Sequence, residues 1–321
     1  MVRLPPTCAP LALVAASLGC PLPFALAYVD PPPPPSRSRR ARTELRSTPS
    51  PVEAEAAAAA LSRGLERMGS VMTKDFFSAT PSLGRMRSSI AKSVEVRQSS
   101  IAGAGSGLFA TKNLRAGTVV SFYPAHCLGA ELGGGQVWAT VNGDREYFAG
   151  NPQASSAYLH ATDQPVFGRQ SVLEAAGAGQ APVYLDVNPH RDVDLAWVSQ
   201  YINDGATVGK GTEGGVSRYY RESKARKNCV HVPFGPSPIM ATVATRKIKK
   251  GEELFTSYGC VYWLGALEAE GGVEDAPGMT GLIQSQIRES AEDLFGCMKS
   301  VKTTYGTEIE DLEAAIKGLL N

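Results

Sequence analysis

Two polar side chains close apolar runs, where a fold turns groups toward a ligand and away from its core. Asn203 ends Trp197-Val-Ser-Gln-Tyr-Ile-Asn203, and Tyr258 ends Leu254-Phe-Thr-Ser-Tyr258. A phenol hydroxyl both donates and accepts a hydrogen bond, so a Tyr so placed can orient a reacting group. Each residue also has a plainer role, the Asn as a turn former and the Tyr as packing. Upstream, glycines at 103, 105 and 107 let a backbone pass close to a ligand and expose its N–H groups. They lead into a second Gly-centred turn and a strand instead of a long helix, which argues against a dinucleotide-binding fold. His126-Cys127 and Cys229-Val230-His231 are metal-ligating types, but their spacing fits no standard metal signature. They read as buried structural residues, and no metal is expected.

Such residues need elements to carry them. The chain has 321 residues, room for one large or two modest domains of about 150 residues each. Apolar residues make up 43%, charged residues 20%, and the formal net charge is +1, which argues against gross polyelectrolyte binding and whole-chain disorder. The 33 Gly and 22 Pro mark a turn-rich, strand-rich chain. A helix is predicted from Ser50-Pro51-Val-Glu53, a capping Ser, a Pro at the first helical position and a Glu at the third. Leu61, Leu65, Met68 and Met72 then recur at helical spacing. Short β-branched and aromatic runs cut by Gly and Pro predict strands over 94–96, 119–123, 183–187, 239–245 and 254–258. After Trp263 helical spacing returns, through Ile283, Ile287, Leu294, Phe295 and Met298, and then Ile309, Leu312 and Ile316 behind the capping box Thr307-x-x-Glu310. Residues 264–321 hold four basic against eleven acidic groups, so this end is predicted as two acidic amphipathic helices packed on the domain.

The opposite end is basic. Residues 1–27 run through a short apolar stretch to Ala25-Leu26-Ala27, an A-x-A cleavage pattern, and read as a signal peptide. The stretch falls short of the roughly 20 residues a membrane span needs, so no transmembrane anchor is expected. Residues 28–50 are rich in Pro, Arg and Ser, with the composition of an organelle transit peptide. The pair resembles the two-part leaders of plastids of secondary origin. The alternatives are an ordinary secreted or disordered N-terminus, or a wrongly called start with a nuclear or cytoplasmic protein. Outside the leader, Cys127, Cys229, Cys260 and Cys297 are widely spaced and form no C-x-x-C pair, which fits a reducing destination and not a disulfide scaffold.

Together and in this order, the segments resemble the SET domain of protein-lysine methyltransferases. Gly105-Ser-Gly-Leu-Phe-Ala110 is similar to the family's G-x-G cofactor loop, and Tyr201-Ile-Asn-Asp204 stands where the family has R-F-I-N-H. Asn228-Cys229 stands for P-N-C, and Gly251-Glu-Glu-Leu-Phe-Thr-Ser-Tyr-Gly259 for G-E-E-L-T-F-D-Y-G. The resemblance implies a mainly β fold of small sheets with a threaded, knot-like C-terminal segment and flanking α-helices. It divides the chain into the leader over 1–27 and 28–50, a helical segment over 51–92, the SET domain over 93–263 and the acidic extension over 264–321. It further implies S-adenosyl-L-methionine as cofactor, held by the backbone of Ala104, Gly105 and Ser106 and by Asn203 and Asp204. Tyr258 is the implied catalytic residue, and Tyr123, Tyr201 and Thr256 the implied lining of the substrate channel. The implied partner is a protein presenting a lysine, with no direct nucleic-acid contact, and the expected state is a monomer.

The chemistry suits those roles. A lysine amine has a reference pKa near 10.4, so at neutral pH only about one in ~10³ is the free base able to attack a methyl group. A dry channel and a neighbouring sulfonium both disfavour the ammonium, and displacement then needs in-line alignment, which a preorganised channel supplies. Three departures from the family pattern bear on this. Asp204 stands in place of the family's His. The connection 204–227, with Arg218, Arg221, Lys224, Arg226 and Lys227, replaces a short link and is predicted as a solvated charged loop or a substrate-facing basic one. Thr256 stands where an aromatic residue often limits how many methyls fit, and implies a roomier pocket. A catalytically silent SET-like module that binds a peptide or partner is the alternative these departures raise.

Overall fold

The N-terminal helices and the C-terminal helices enclose a set of small sheets. In this computed structural model the described residues are 51–132, 135–141, 148, 160–162, 183–207, 215–236, 238–259 and 279–319. The leader expected over 1–50, and Cys260, lie outside them. Helix α1 (Pro51–Val71) buries Leu61, Leu65, Met68 and Val71 on one stripe, as the sequence spacing predicts. The short α2 (Lys74–Ser78) is capped by Thr73, whose hydroxyl accepts the Phe76 N–H, and α3 (Pro81–Ala91) starts on a proline.

Strand β1 (Val94–Gln98) pairs antiparallel with β2 (Ser106–Ala110). Their connection bends at Gly103 and Gly105, at φ 82° and 74°, values that favour glycine. Next, β3 (Val119–Phe122) joins a three-stranded antiparallel sheet with β9 (Cys229–Pro233) and β10 (Met240–Ala244), β10 in the centre. A four-stranded antiparallel sheet takes the order β5 (Gly135–Thr140), β4 (Cys127–Leu132), β7 (Val183–Asp186), β6 (His160–Thr162). The last pair is β8 (Asn203–Asp204) with β11 (Phe255–Thr256), and it is parallel.

Two apolar clusters result. The larger packs α1 to α3 and the C-terminal helices α5 (Met279–Thr304) and α6 (Gly306–Gly318) on the three- and four-stranded sheets, around Phe77, Phe122, Trp197 and Phe234. The smaller lies under the β1–β2 hairpin and the parallel pair, through Leu108, Val198, Ile202, Cys229, Ile248 and Leu254. The extension therefore packs on the domain, as predicted. Its last helix also meets α3, where Ser82 donates to the Asp311 carboxylate. Among the described residues no helix is long and apolar enough to cross a membrane.

Three expectations differ from the outcome. Half of the connection expected as a loop over 204–227 is helix α4 (Gly215–Arg226), because Tyr219 and Ser223, one turn apart, are both buried. In the run 254–258 only Phe255–Thr256 pairs as a strand. Helix α6 begins at Gly306, ahead of the predicted box; Tyr305 at its start makes no side-chain cap, and its hydroxyl instead accepts the Val119 N–H at 3.1 Å.

Candidate active site

The site is a crossing of two segments far apart in the sequence. Phe255 lies opposite Asn203 and Thr256 opposite Asp204 in the parallel pair. Fully buried Asn228 fastens the crossing: its Nδ2 donates to the Glu253 carbonyl at 2.9 Å, its Oδ1 accepts the Phe255 N–H at 2.8 Å, and its own N–H donates to the Phe255 carbonyl at 3.0 Å. A side-chain amide here replaces a missing neighbouring strand, so buried backbone groups of the threaded segment keep their partners.

Asn203 and the hairpin meet at the same place. The Asn203 Nδ2 donates to the Ser106 carbonyl at 3.0 Å and approaches Glu253 Oε1 at 3.4 Å. Buried Glu253 also accepts from the Ser99 hydroxyl at 2.6 Å, from the Ser100 N–H at 2.8 Å and from the Ser100 hydroxyl. One carboxylate thus ties the start of the glycine-rich turn to Asn203, and Asn203 in turn reaches the far side of the turn at Ser106. Gly107 is required beside it, since a Cβ there would fall 2.2 Å from Glu253 Oε1 and 3.2 Å from the Ser99 Cα.

Tyr258 follows the crossing. Its hydroxyl donates to the Ile202 carbonyl at 2.9 Å, and its N–H donates to Asp204 Oδ2 at 2.9 Å. The Asp204 side chain is buried and turned inward: Oδ2 also accepts the Tyr219 hydroxyl at 2.6 Å, and Oδ1 accepts the Ala206 N–H at 3.2 Å. Burial first, then the charge of Asp204 and the bond to it, push the Tyr219 phenol far above its ordinary range, so it stays protonated. Tyr201 packs partly buried on the smaller cluster, and Thr256 is buried beside Asp204. Tyr123, just after β3, belongs to the larger cluster and sets its ring edge-on to His231 at 5.5 Å.

The crossing suits a cofactor with a polar rim. Ala104, Gly105 and Ser106 are exposed, and a Cβ built on Gly103 or Gly105 meets nothing within 4 Å, so open space lies against this backbone with the Asn203 amide at its edge. Those residues fit the S-adenosylmethionine role that the resemblance implies. The Asp204 carboxylate, by contrast, spends its oxygens on Tyr219, Tyr258 and Ala206. His126 accepts the Asn188 N–H on the four-stranded sheet, and His231 bonds Thr242 on the three-stranded one. Among the described residues no three His, Cys, Asp or Glu side chains converge as for a metal ion.

Sequence reading placed Asn203, Ser106, Thr256 and Tyr258 together, and the fold brings them together. It did not single out Glu253, Asn228 or Tyr219 as working parts. Glu253 follows Glu252 and Asn228 follows Lys227, so no local pattern marks either as buried, and their place inside the Gly251–Gly259 and Asn228-Cys229 motifs is their one signal. Tyr219 had no such signal.

Comparison with protein families matches residues 105–259 to the SET domain. Among solved structures, the ATXR5 SET domain in complex with dimethylated histone H3 is 13% identical, covering 67% of this chain and 93% of that one with a TM-score of 0.32. The SET domain of the RIZ1 tumor suppressor is 14% identical over 64% of this chain and 87% of that one, with a TM-score of 0.24. ATXR5 with monomethylated histone H3.1 is 12% identical, over 66% and 92%, with a TM-score of 0.30. No curated protein matches the chain. Residues 105–259 are a SET domain.

Proposed function

We propose that the chain is an S-adenosylmethionine-dependent protein-lysine N-methyltransferase. The observation that carries this reading is the meeting of Tyr258 with the Asn203 segment: the phenol bonds the carbonyl of Ile202, and the next side chain, Asn203, reaches the glycine-rich turn at Ser106. When bound at that turn, the cofactor supplies a methyl group activated by a sulfonium. The chain's own residues do the rest. The backbone of Ala104, Gly105 and Ser106 and the Asn203 amide hold the donor. The Tyr258 proton is committed to the Ile202 carbonyl, which orients the phenol oxygen as the acceptor of an N–H of the incoming amine, so that the amine's own lone pair is aimed at the methyl. Tyr201 and Thr256 border the approach and keep water from it, which favours the neutral amine. Orientation of this kind is the main source of acceleration for a displacement needing no strong base.

The test is cofactor binding by calorimetry together with transfer of labelled methyl from S-adenosylmethionine to lysines of a heat-inactivated protein extract. The parent is expected to bind and to transfer. Tyr258→Phe is expected to bind within about twofold while transfer falls roughly 10²-fold or more. Binding without transfer by the parent would instead favour a silent peptide-binding module, and absence of binding would remove the cofactor from the reading.

A further inference from the structure

Helix α4 sits in the connection between the two crossing segments, yet its Tyr219 is fully buried against both of them. The Tyr219 hydroxyl donates to Asp204 Oδ2 at 2.6 Å and accepts the Gly259 N–H at 3.0 Å. The Ser257 hydroxyl lies 3.2 Å from the same oxygen, and because the Tyr219 proton is already given to the carboxylate, Ser257 donates. Asp204 Oδ2 takes the Tyr258 N–H at 2.9 Å. Three consecutive residues, 257 to 259, are therefore held by one phenol and one carboxylate, and the residue in the middle carries the hydroxyl that faces the Ile202 carbonyl. The helix is seated closely: the Arg226 guanidinium donates to the Gly205 carbonyl at 3.0 Å, and a Cβ on Gly205 would fall 2.6 Å from the Arg226 Cβ.

We propose that Tyr219 and Asp204 are a positioning pair for Tyr258, so that α4 is a working part of the site and not a solvated insert. The inference rests on the methyltransferase reading for its kinetic consequence, but the clamp itself is a statement about the 257–259 backbone. Both partners are needed in fixed protonation states, the phenol as donor to Asp204 and as acceptor from Gly259. Burial and the neighbouring carboxylate keep that phenol protonated. Phe at position 219 retains the ring in its apolar seat but removes the hydroxyl, leaving the Gly259 N–H and one lobe of Asp204 without their partner.

The experiment combines hydrogen exchange of the peptide over 255–259 with steady-state kinetics in the full chain. Tyr219→Phe is expected to speed exchange of the Tyr258 and Gly259 amides about tenfold or more, with exchange of β9 and β10 unchanged. In the same variant kcat is expected to fall about tenfold or more while the KM for S-adenosylmethionine stays within about twofold. Asp204→Asn, which keeps an acceptor oxygen, is expected to retain more turnover than Asp204→Ala, and Glu222→Gln, exposed on the same helix, is expected to match the parent in both readouts. Parent-like exchange over 255–259 in Tyr219→Phe would overturn the pair, as would acceleration spread equally over β9 and β10, which is loss of fold and not of position. Faster local exchange with unaltered kcat would overturn the role in positioning. A parent that transfers no methyl sinks the enzymatic reading, and the exchange result still decides the clamp.

Discussion

Gly107 and Glu253 compete for one volume: the missing side chain of the first is the seat of the second's carboxylate, which lies 2.2 Å from where a Cβ would stand. Gly107→Ala must push Glu253 off Ser99 and Ser100 or shift the hairpin. The expected cost is about 1–3 kcal/mol in denaturant unfolding, with weaker cofactor binding by calorimetry. Glu253→Gln keeps the volume and is expected to cost less.

Asn228 is the strand substitute of the crossing. Asn228→Ala leaves the Glu253 carbonyl and the Phe255 N–H buried without partners, at about 1–3 kcal/mol each, so a loss of several kcal/mol in chemical denaturation is expected. Asn228→Asp keeps the acceptor for Phe255 and forfeits the donor to Glu253, and should fall between the two.

Thr256 is small and buried next to Asp204 in the threaded pair. The parent is expected to place more than one methyl on its target lysine, and Thr256→Phe to shift the product toward monomethyl-lysine. Mass spectrometry of the modified peptide reads this directly, and exclusive monomethylation by the parent would contradict it.

Burial drives the Cys229 thiol well above its ordinary range, and the half-buried Cys297 shifts the same way for the same first cause. The nucleophile is the thiolate, so the fully buried Cys229 should not react appreciably in the folded state at neutral pH. Iodoacetamide labelling followed by peptide mapping is expected to leave Cys229 unmodified until denaturant is added.

Helix α4 is pinned to α5 by Lys224 to Glu289 at 2.9 Å and by Lys227 to Asp293 at 2.5 Å. The Tyr220 hydroxyl and then the Lys224 ammonium hold the Glu289 carboxyl below its ordinary range, and Glu289 holds Lys224 above its own. The lowered carboxyl contributes stability above its unfolded value near ~4.3 and loses it as pH falls through the folded value; the raised amine contributes below its unfolded value near ~10.4 and loses it as pH rises through the folded one. Exchange protection of α4 should therefore be widest at neutral pH and decline below about pH 4 and above about pH 10. High salt should narrow it too, because these groups are largely exposed and screened.

What the sequence made legible was local. The spacing of Leu61, Leu65 and Met68 and the alternation of apolar runs depend on neighbours in the chain, and they correctly located α1, β3 and β10. The site residues Asn203 and Tyr258 each end an apolar run, which alone is unremarkable, and they became legible through the ordered motifs that resemble the SET domain. Strands β4 and β5 were missed because Gly129, Gly135 and small alanines dilute their pattern, although Gly129 is needed there: a Cβ would strike the Trp138 ring at 2.3 Å. In sequence helix α4 looks like a charged loop because its buried face is a Tyr and a Ser, polar types whose partners, Asp204 and Ser257, lie on other segments. The inward turn of Asp204 was equally invisible, since no spacing rule reports which way a carboxylate faces.

The junction of α3 with α6 sets a condition on how the molecule is made. Core positions on α3 are covered by α6, whose buried Leu312 and Ile316 lie far along the chain from it. Acquisition of the native state must therefore wait for contacts between segments far apart along the polymer, a topology that slows folding.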